Sequence, residues 1–148
     1  MPDFQSMFMA SKGEPVEYLG RTLHMVDEFP LTEAQCIEVS FEHASPDWRQ
    51  GVHLSTTGTF EVNGQSIHNA ALLWQDTAPA RVELIVHSQS GVLVVKNVWD
   101  VGDGVTHSWH GGGAMRISVL GQQRRYECND GRANDDFSDL VFSLTLRE

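Results

Sequence analysis

The 148-residue chain has only two cysteines, Cys36 and Cys128, which are too few for a disulfide-stapled scaffold. Basic residues are also scarce: 10 Lys and Arg stand against 20 Asp and Glu, and the formal net charge at pH 7 is -10. This excess of negative charge repels phosphate backbones and anionic lipids, so nucleic acid and acidic membranes are poor partners. No apolar run reaches 18 residues, so the sequence predicts no membrane-spanning helix.

The N-terminal residues contain no apolar segment of the kind that secretory signal peptides have, and they carry Asp3 early. The sequence therefore predicts a cytoplasmic protein in which both cysteines are free thiols. The chain length fits one domain over residues 1–148. Residues 1–20 are a candidate for a loosely ordered segment within it.

Short segments of alternating apolar and polar residues recur along the chain about every ten residues. In one of them Val82, Leu84 and Val86 share a face, and the pair Asn63-Gly64 is typical of a type I′ hairpin turn. This pattern predicts an all-β fold, an antiparallel β-sandwich of jelly-roll type with about eight to ten strands. A single helical turn is predicted near residues 30–35.

The stretch 127–139 contains five acidic residues and one basic residue just before the apolar final segment. So many like charges repel each other unless solvent screens them or a cation neutralises them. Calcium suits such a loop because it accepts 6–8 oxygen ligands without strict geometry. The alternative is an acidic turn without an ion, since Asn and Asp are common turn residues. The candidate calcium ligands are Asp130, Asn134, Asp135, Asp136 and Asp139.

A glycine-rich stretch, residues 97–113, combines tryptophan, histidine and aspartate between two predicted strands. Tryptophan offers a flat apolar face to a sugar ring, while Asp and His bond its hydroxyl groups. A transition metal could instead use both histidines with Asp100 or Asp103, and a third reading is a long hairpin that serves only as scaffold. The candidate ligand-binding residues are Trp99, Asp100, Asp103, His107, Trp109 and His110.

The segment from Tyr126 to Gly131, followed by Asp135-Asp136-Phe137-Ser138-Asp139-Leu140-Val141-Phe142, resembles the closing D-x-D-F-x-D-L-V motif of uncharacterised bacterial β-sandwich modules. More faintly, residues from 113 onwards resemble bacterial calcium-dependent galactose-binding lectins. That resemblance implies a calcium site in which Asp130 and Asn134 are ligands. The chain departs from those lectins at residues 137–139, where they have Asn-Asn and a small residue.

We therefore expect a non-catalytic, calcium-assisted module that binds a neutral polar ligand such as a sugar. No nucleophile–base motif is present, and the sequence identifies no catalytic residue. One alternative is a small metal-dependent enzyme that uses His107 and His110 with Asp100 or Asp103. Another is a structural or interaction subunit without a small-molecule site, and its strand edges would allow a homodimer.

Overall fold

The computed structural model of the chain describes residues 4–32, 34–132 and 136–147. Within these ranges it contains one helix and eleven strands, slightly more strands than predicted. The helix has seven residues, and no helix in the described ranges is long and apolar enough to cross a membrane. The elements are α1 (Phe4–Ala10), β1 (Val16–Tyr18), β2 (Arg21–Leu23), β3 (Asp27–Pro30), β4 (Ala34–Ala44), β5 (Arg49–Val62), β6 (Gln65–Trp74), β7 (Arg81–Ser88), β8 (Val92–Asp100), β9 (Ala114–Leu120), β10 (Gln123–Asn129) and β11 (Leu140–Arg147).

Nine strands form one antiparallel sheet in the order β3-β8-β5-β7-β4-β11-β10-β9, and β6 pairs with β5 outside this path. The long strand β5 changes partner, because residues 49–55 pair with β8 and residues 58–61 pair with β7. Gly58 lies at this change with a φ of 149°, and a Cβ there would be 1.8 Å from the carbonyl oxygen of His87. Only glycine allows the two backbones to approach so closely, and the sheet curls here.

The prediction of an all-β antiparallel fold is confirmed, although the curled sheet forms a half-barrel rather than a clear sandwich. The reason is that β5 runs unbroken from one part of the sheet to the other instead of ending between two stacked sheets. The Asn63-Gly64 turn joins β5 to β6 as predicted, with both residues at positive φ. The helical turn predicted at 30–35 is wrong, since β3 ends at Pro30 and β4 begins at Ala34.

The main hydrophobic core collects alternate side chains from β3 to β11. Along β7, residues 82, 84 and 86 are buried and their neighbours are exposed, as the alternation predicts. The Tyr126 ring of β10 stacks on the Phe142 ring of β11, with centroids 4.6 Å apart, and the Tyr126 hydroxyl donates to Asp27 at 2.6 Å. These contacts fix β10 and β11 in the core, and so they position the loop between these strands.

A second, smaller hydrophobic cluster joins the N-terminal segment to the sheet. Phe4 and Phe8 of α1 are buried against β2, the start of β9 and the loop before β11. The Gln5 backbone N–H donates to the Gly111 carbonyl at 2.9 Å, and the Gly111 N–H donates to Gln5 Oε1 at 2.8 Å. The N-terminal segment, a candidate for loose order, thus includes a packed helix from residue 4 to residue 10.

Both cysteines are unpaired, Cys36 half-buried in β4 and Cys128 buried in β10. Burial raises the pKa of the Cys128 thiol well above its usual value, and the charges of Asp139 and Glu127 raise it further. A thiol of this kind stays protonated at neutral pH and is a poor nucleophile.

Candidate functional site

Two loops that follow buried strands make up the candidate site. They are the β8–β9 loop, residues 101–113, and the β10–β11 loop, residues 130–139. The Gly112 N–H donates to the Gly131 carbonyl at 3.2 Å, so the loops are in direct contact. The side-chain amide of Asn97 in β8 also donates to the backbone carbonyl at the end of β10, at 2.8 Å. The two predicted functional segments therefore lie side by side, a proximity that sequence spacing does not reveal.

The indole ring of Trp99 fills the space between the two loops and is fully buried. A Cβ on Gly113 would lie 2.7 Å from its Cη2 atom, and a Cβ on Gly131 would lie 3.1 Å from its Cζ2 atom. These glycines let both loop backbones lie directly on the ring. Because the ring has no accessible face, the predicted stacking of a sugar on Trp99 is corrected: this side chain is scaffold. Trp109, the other predicted aromatic residue, is half-buried against the cluster around α1.

Asp130 is fully buried and is held by three hydrogen bonds. Its Oδ1 atom accepts the backbone N–H of Arg132 at 3.0 Å, and its Oδ2 atom accepts the side-chain amide of Gln50 at 2.9 Å. Its own backbone N–H donates to Asp139 Oδ2 at 3.0 Å. Asp130 and Asp139 therefore belong to one buried network, although nine positions separate them in the sequence.

The surroundings of Asp139 disfavour its charged form. Burial raises the pKa of this carboxyl to about 6, and the negative charges of Asp130 and Asp136 contribute to the rise. The N–H group of Asp130 opposes the rise by donating to the carboxylate. The loop thus holds two buried carboxyl groups close together, an arrangement that a positive ion would stabilise.

Gln50 of β5 also reaches this network, although it carries no motif that marks it in the sequence. Its exposed fraction is 2%, and its Nε2 atom donates to Asp130. Its Oε1 atom is buried and has no hydrogen-bond partner among the described residues. An oxygen that only accepts, left unpartnered beside a carboxylate, is costly unless a cation or a donor contacts it.

The predicted calcium ligands fall into three groups. Asp130 and Asp139 come together in the buried network. Asp136 is exposed, and its Oδ1 atom accepts the N–H of Ser138 at 3.3 Å, which is a turn contact. Asn134 and Asp135 lie outside the described residues. Within the residues that the structure describes, no three His, Cys, Asp or Glu side chains are close enough to hold a metal by themselves.

His107 and His110 bring two imidazole nitrogens together in the β8–β9 loop. His107 Nδ1 and His110 Nε2 are 3.0 Å apart, and the rings meet at 83°. On the other side of its ring, His107 Nε2 faces Asp103 Oδ2 at 3.5 Å. Burial, followed by the charge of His107, lowers the pKa of His110, so this ring is neutral at pH 7. The two histidines thus form one compact group.

The backbone around this group is well anchored. Trp99 and His107 exchange two backbone hydrogen bonds, at 3.0 and 2.9 Å. Asp100 Oδ1 accepts the N–H groups of Gly102 and Gly104, at 2.8 and 3.2 Å. Asp100, predicted as a ligand-binding residue, therefore braces the turn that carries His107, while Asp103 faces the outer nitrogen of that ring.

An open groove of about 1100 Å³ lies between the bend of β5 and the β7–β8 turn. Its lining includes His87 and the hydroxyl-bearing residues Thr59, Ser88 and Ser90. Ser88 is already engaged, since its Oγ atom lies 2.7 Å from Thr56 Oγ1. The sequence marks these residues only as strand and turn, and the His87 Nε2 atom lies 3.7 Å from Glu61 Oε2.

Comparisons with protein-family models, with curated proteins and with solved structures found no match for this chain. Its function is therefore inferred from the two loops alone. They contain two buried carboxyl groups, one of which accepts the side-chain amide of Gln50, and an imidazole pair. Both arrangements have chemistry that is suited to a positive ion.

Proposed function

We propose that this protein is a non-catalytic binding module that holds a calcium ion in the β10–β11 loop and uses it to bind a neutral polar ligand such as a carbohydrate. Asp130 and Asp139 would supply carboxylate oxygens, and Gln50 would supply its unpartnered amide oxygen. Calcium takes 6–8 oxygens in a flexible arrangement, so backbone carbonyls and water complete such a shell. A calcium ion in a loop can also coordinate the hydroxyl oxygens of a ligand directly.

The observation that carries this proposal is the buried, unpartnered Oε1 atom of Gln50, whose Nε2 atom donates to the buried Asp130 carboxyl. Burial is the main cause of the raised pKa of Asp139, and the negative charges of Asp130 and Asp136 add to it. A divalent cation would neutralise both carboxylates and contact the amide oxygen at the same time. The competing reading, an acidic turn held by hydrogen bonds alone, leaves the oxygen of Gln50 without a partner.

The surface around the loop supports a neutral ligand. The chain carries a net charge of -10, which disfavours anionic ligands. Trp48 is half-buried beside the network: its carbonyl accepts the Gln50 amide at 3.4 Å, and the Arg132 guanidinium lies 4.8 Å from its ring centroid. Since Trp99 is buried, Trp48 and Trp109 are the aromatic residues near the loops that could contact a sugar ring.

Calcium titration of the full chain, first stripped of metal with EDTA, tests the ion site. We expect millimolar calcium to raise the Tm of the wild-type protein, because binding to the folded state alone stabilises it. Asp139→Asn keeps the acceptor for the Asp130 N–H but removes one charge, and this variant should show little or no rise. Glu28→Gln removes one charge from an exposed position on β3 and should respond like the wild type.

An unchanged Tm and no heat of binding for the wild-type protein would contradict the calcium site and support the alternative, an acidic turn without an ion. If calcium binds, calorimetry with a panel of neutral monosaccharides and oligosaccharides, in calcium and in EDTA, tests the second part of the proposal. Binding that requires calcium supports the module, whereas sugar binding that is equal in EDTA separates the ligand from the ion.

A further inference from the structure

We propose that His107 and His110 form a second, separate metal site, one for a divalent transition metal such as Zn²⁺ or Cu²⁺, with both imidazoles as ligands and water in the remaining positions. This goes beyond the calcium proposal, because imidazole nitrogens prefer transition metals while carboxylate and carbonyl oxygens prefer calcium. The ligand atoms are His107 Nδ1 and His110 Nε2.

The distance between the two nitrogens fits this role. They are 3.0 Å apart. Two imidazole nitrogens bound to one tetrahedral zinc ion at ordinary bond lengths are separated by about 3.3 Å. The two backbone hydrogen bonds between Trp99 and His107 fix the position of the loop, and a rotation of the two rings would turn both lone pairs toward one ion.

The carboxylate of Asp103 influences which ring nitrogen of His107 is available to a metal. Asp103 Oδ2 lies 3.5 Å from His107 Nε2 without a hydrogen bond between them, and its negative charge favours the tautomer in which that nitrogen carries the proton. The Nδ1 atom then carries a lone pair that is directed at His110. Metal-binding histidines commonly have a carboxylate in this outer position, where it orients the ring. Asp103 is thus a positioning residue, not the direct ligand that the sequence suggested.

The site is open to solvent on one side. The His107 side chain is 25% exposed, and residues 101–106 are exposed. Two protein ligands leave coordination positions for water or for an incoming ligand, whereas structural zinc sites use four protein ligands. Without a metal, the same two nitrogens make an N–H···N hydrogen bond. The alternative to the proposal is that this hydrogen bond is the only role of the pair.

The test uses the full chain, stripped with EDTA, at pH 7.5. Calorimetry with ZnCl₂ and CuCl₂ should show one equivalent bound tightly to the wild type and an affinity at least tenfold lower in His107→Gln and in His110→Gln. Asp103→Asn should weaken binding by about tenfold, as outer-shell changes do. His68→Gln removes an exposed histidine on β6 and should change nothing.

Electron paramagnetic resonance of the Cu²⁺-loaded wild type is an independent measurement that needs no variant to fold. It should show two nitrogen ligands, and Asp139→Asn should leave the spectrum unchanged, so failure of the calcium site and failure of this one are distinguishable. Equal affinity in the wild type and both glutamine variants, or a spectrum without two nitrogens, would overturn the proposal and leave a hydrogen-bonded histidine pair.

Discussion

The β8–β9 and β10–β11 loops both place aspartates next to glycines, but they use the carboxylates differently. Asp130 and Asp139 are buried, and one network of hydrogen bonds connects them. Asp100 is half-buried and Asp103 is exposed, and each accepts N–H groups from its own turn. Burial raises the pKa of Asp139, whereas the Val105 N–H lowers the pKa of the exposed Asp103, so the two loops perturb their carboxyls in opposite directions.

The largest effect should come from removing the buried acceptor. Asp130→Ala removes the closer acceptor of the buried Gln50 amide and the acceptor of the Arg132 N–H, and it should lower the free energy of unfolding by about 2–4 kcal/mol. Asp100→Ala removes an acceptor that water can replace, and it should cost about 1 kcal/mol or less. Urea unfolding of the two variants measures both values. Equal losses would contradict the distinction between the loops.

Substitution of the glycines that contact the Trp99 ring should lower the stability nearly as much. Gly113→Ala places a methyl group where a Cβ would be 2.7 Å from the ring, and overpacking of this kind costs about 1–3 kcal/mol. Gly131→Ala, with a closest approach of 3.1 Å, should cost less. Thermal unfolding ranks the two variants.

Trp99→Phe supplies the control for this steric explanation. In that background Gly113→Ala should be milder, because the clashing atoms of the larger ring are absent. An unchanged cost would mean that the loop backbone, rather than the ring, requires glycine at this position.

A smaller effect concerns pH. The pKa of Asp139 is about 6 in the folded chain and about 3.9 in an unfolded one, so the folded state holds its proton more tightly. Acidification from pH 7.5 to pH 5 should therefore stabilise the wild type relative to Asp139→Asn, which resembles the protonated form. In EDTA at pH 7.5 the variant should have the higher Tm, by about 5 °C, and the difference should shrink by pH 5. A difference that is independent of pH would contradict the raised pKa.

The sequence predicted the strands well because burial imposes a period of two on residues such as Val82 and Leu84. It predicted the hairpin at Asn63 because that turn requires a positive φ. The change of partner along β5 could not be predicted in the same way, because it brings Gly58 against the backbone of His87, which is distant in the sequence. Local sequence patterns do not indicate such a long-range contact.

The candidate site was predictable in part. Clusters of Asp and His mark both loops in the sequence, and Asp130, Asp139, His107 and His110 all lie in them. The contribution of Gln50 was not predictable, because it comes from a strand 80 residues away from Asp130. Nor could the sequence show that Trp99 is buried: a tryptophan beside glycines fits an exposed binding face as well as a packed interior.

The bonds between Gln5 and Gly111 have a consequence for the order of folding. They join residues 106 positions apart, so the entropy of closing this long segment is lost before the contact is made. During synthesis, most of the polypeptide must leave the ribosome before α1 can contact Gly111. The contact between α1 and the β8–β9 loop is therefore among the last to form, and an N-terminal fusion partner would emerge close to that loop.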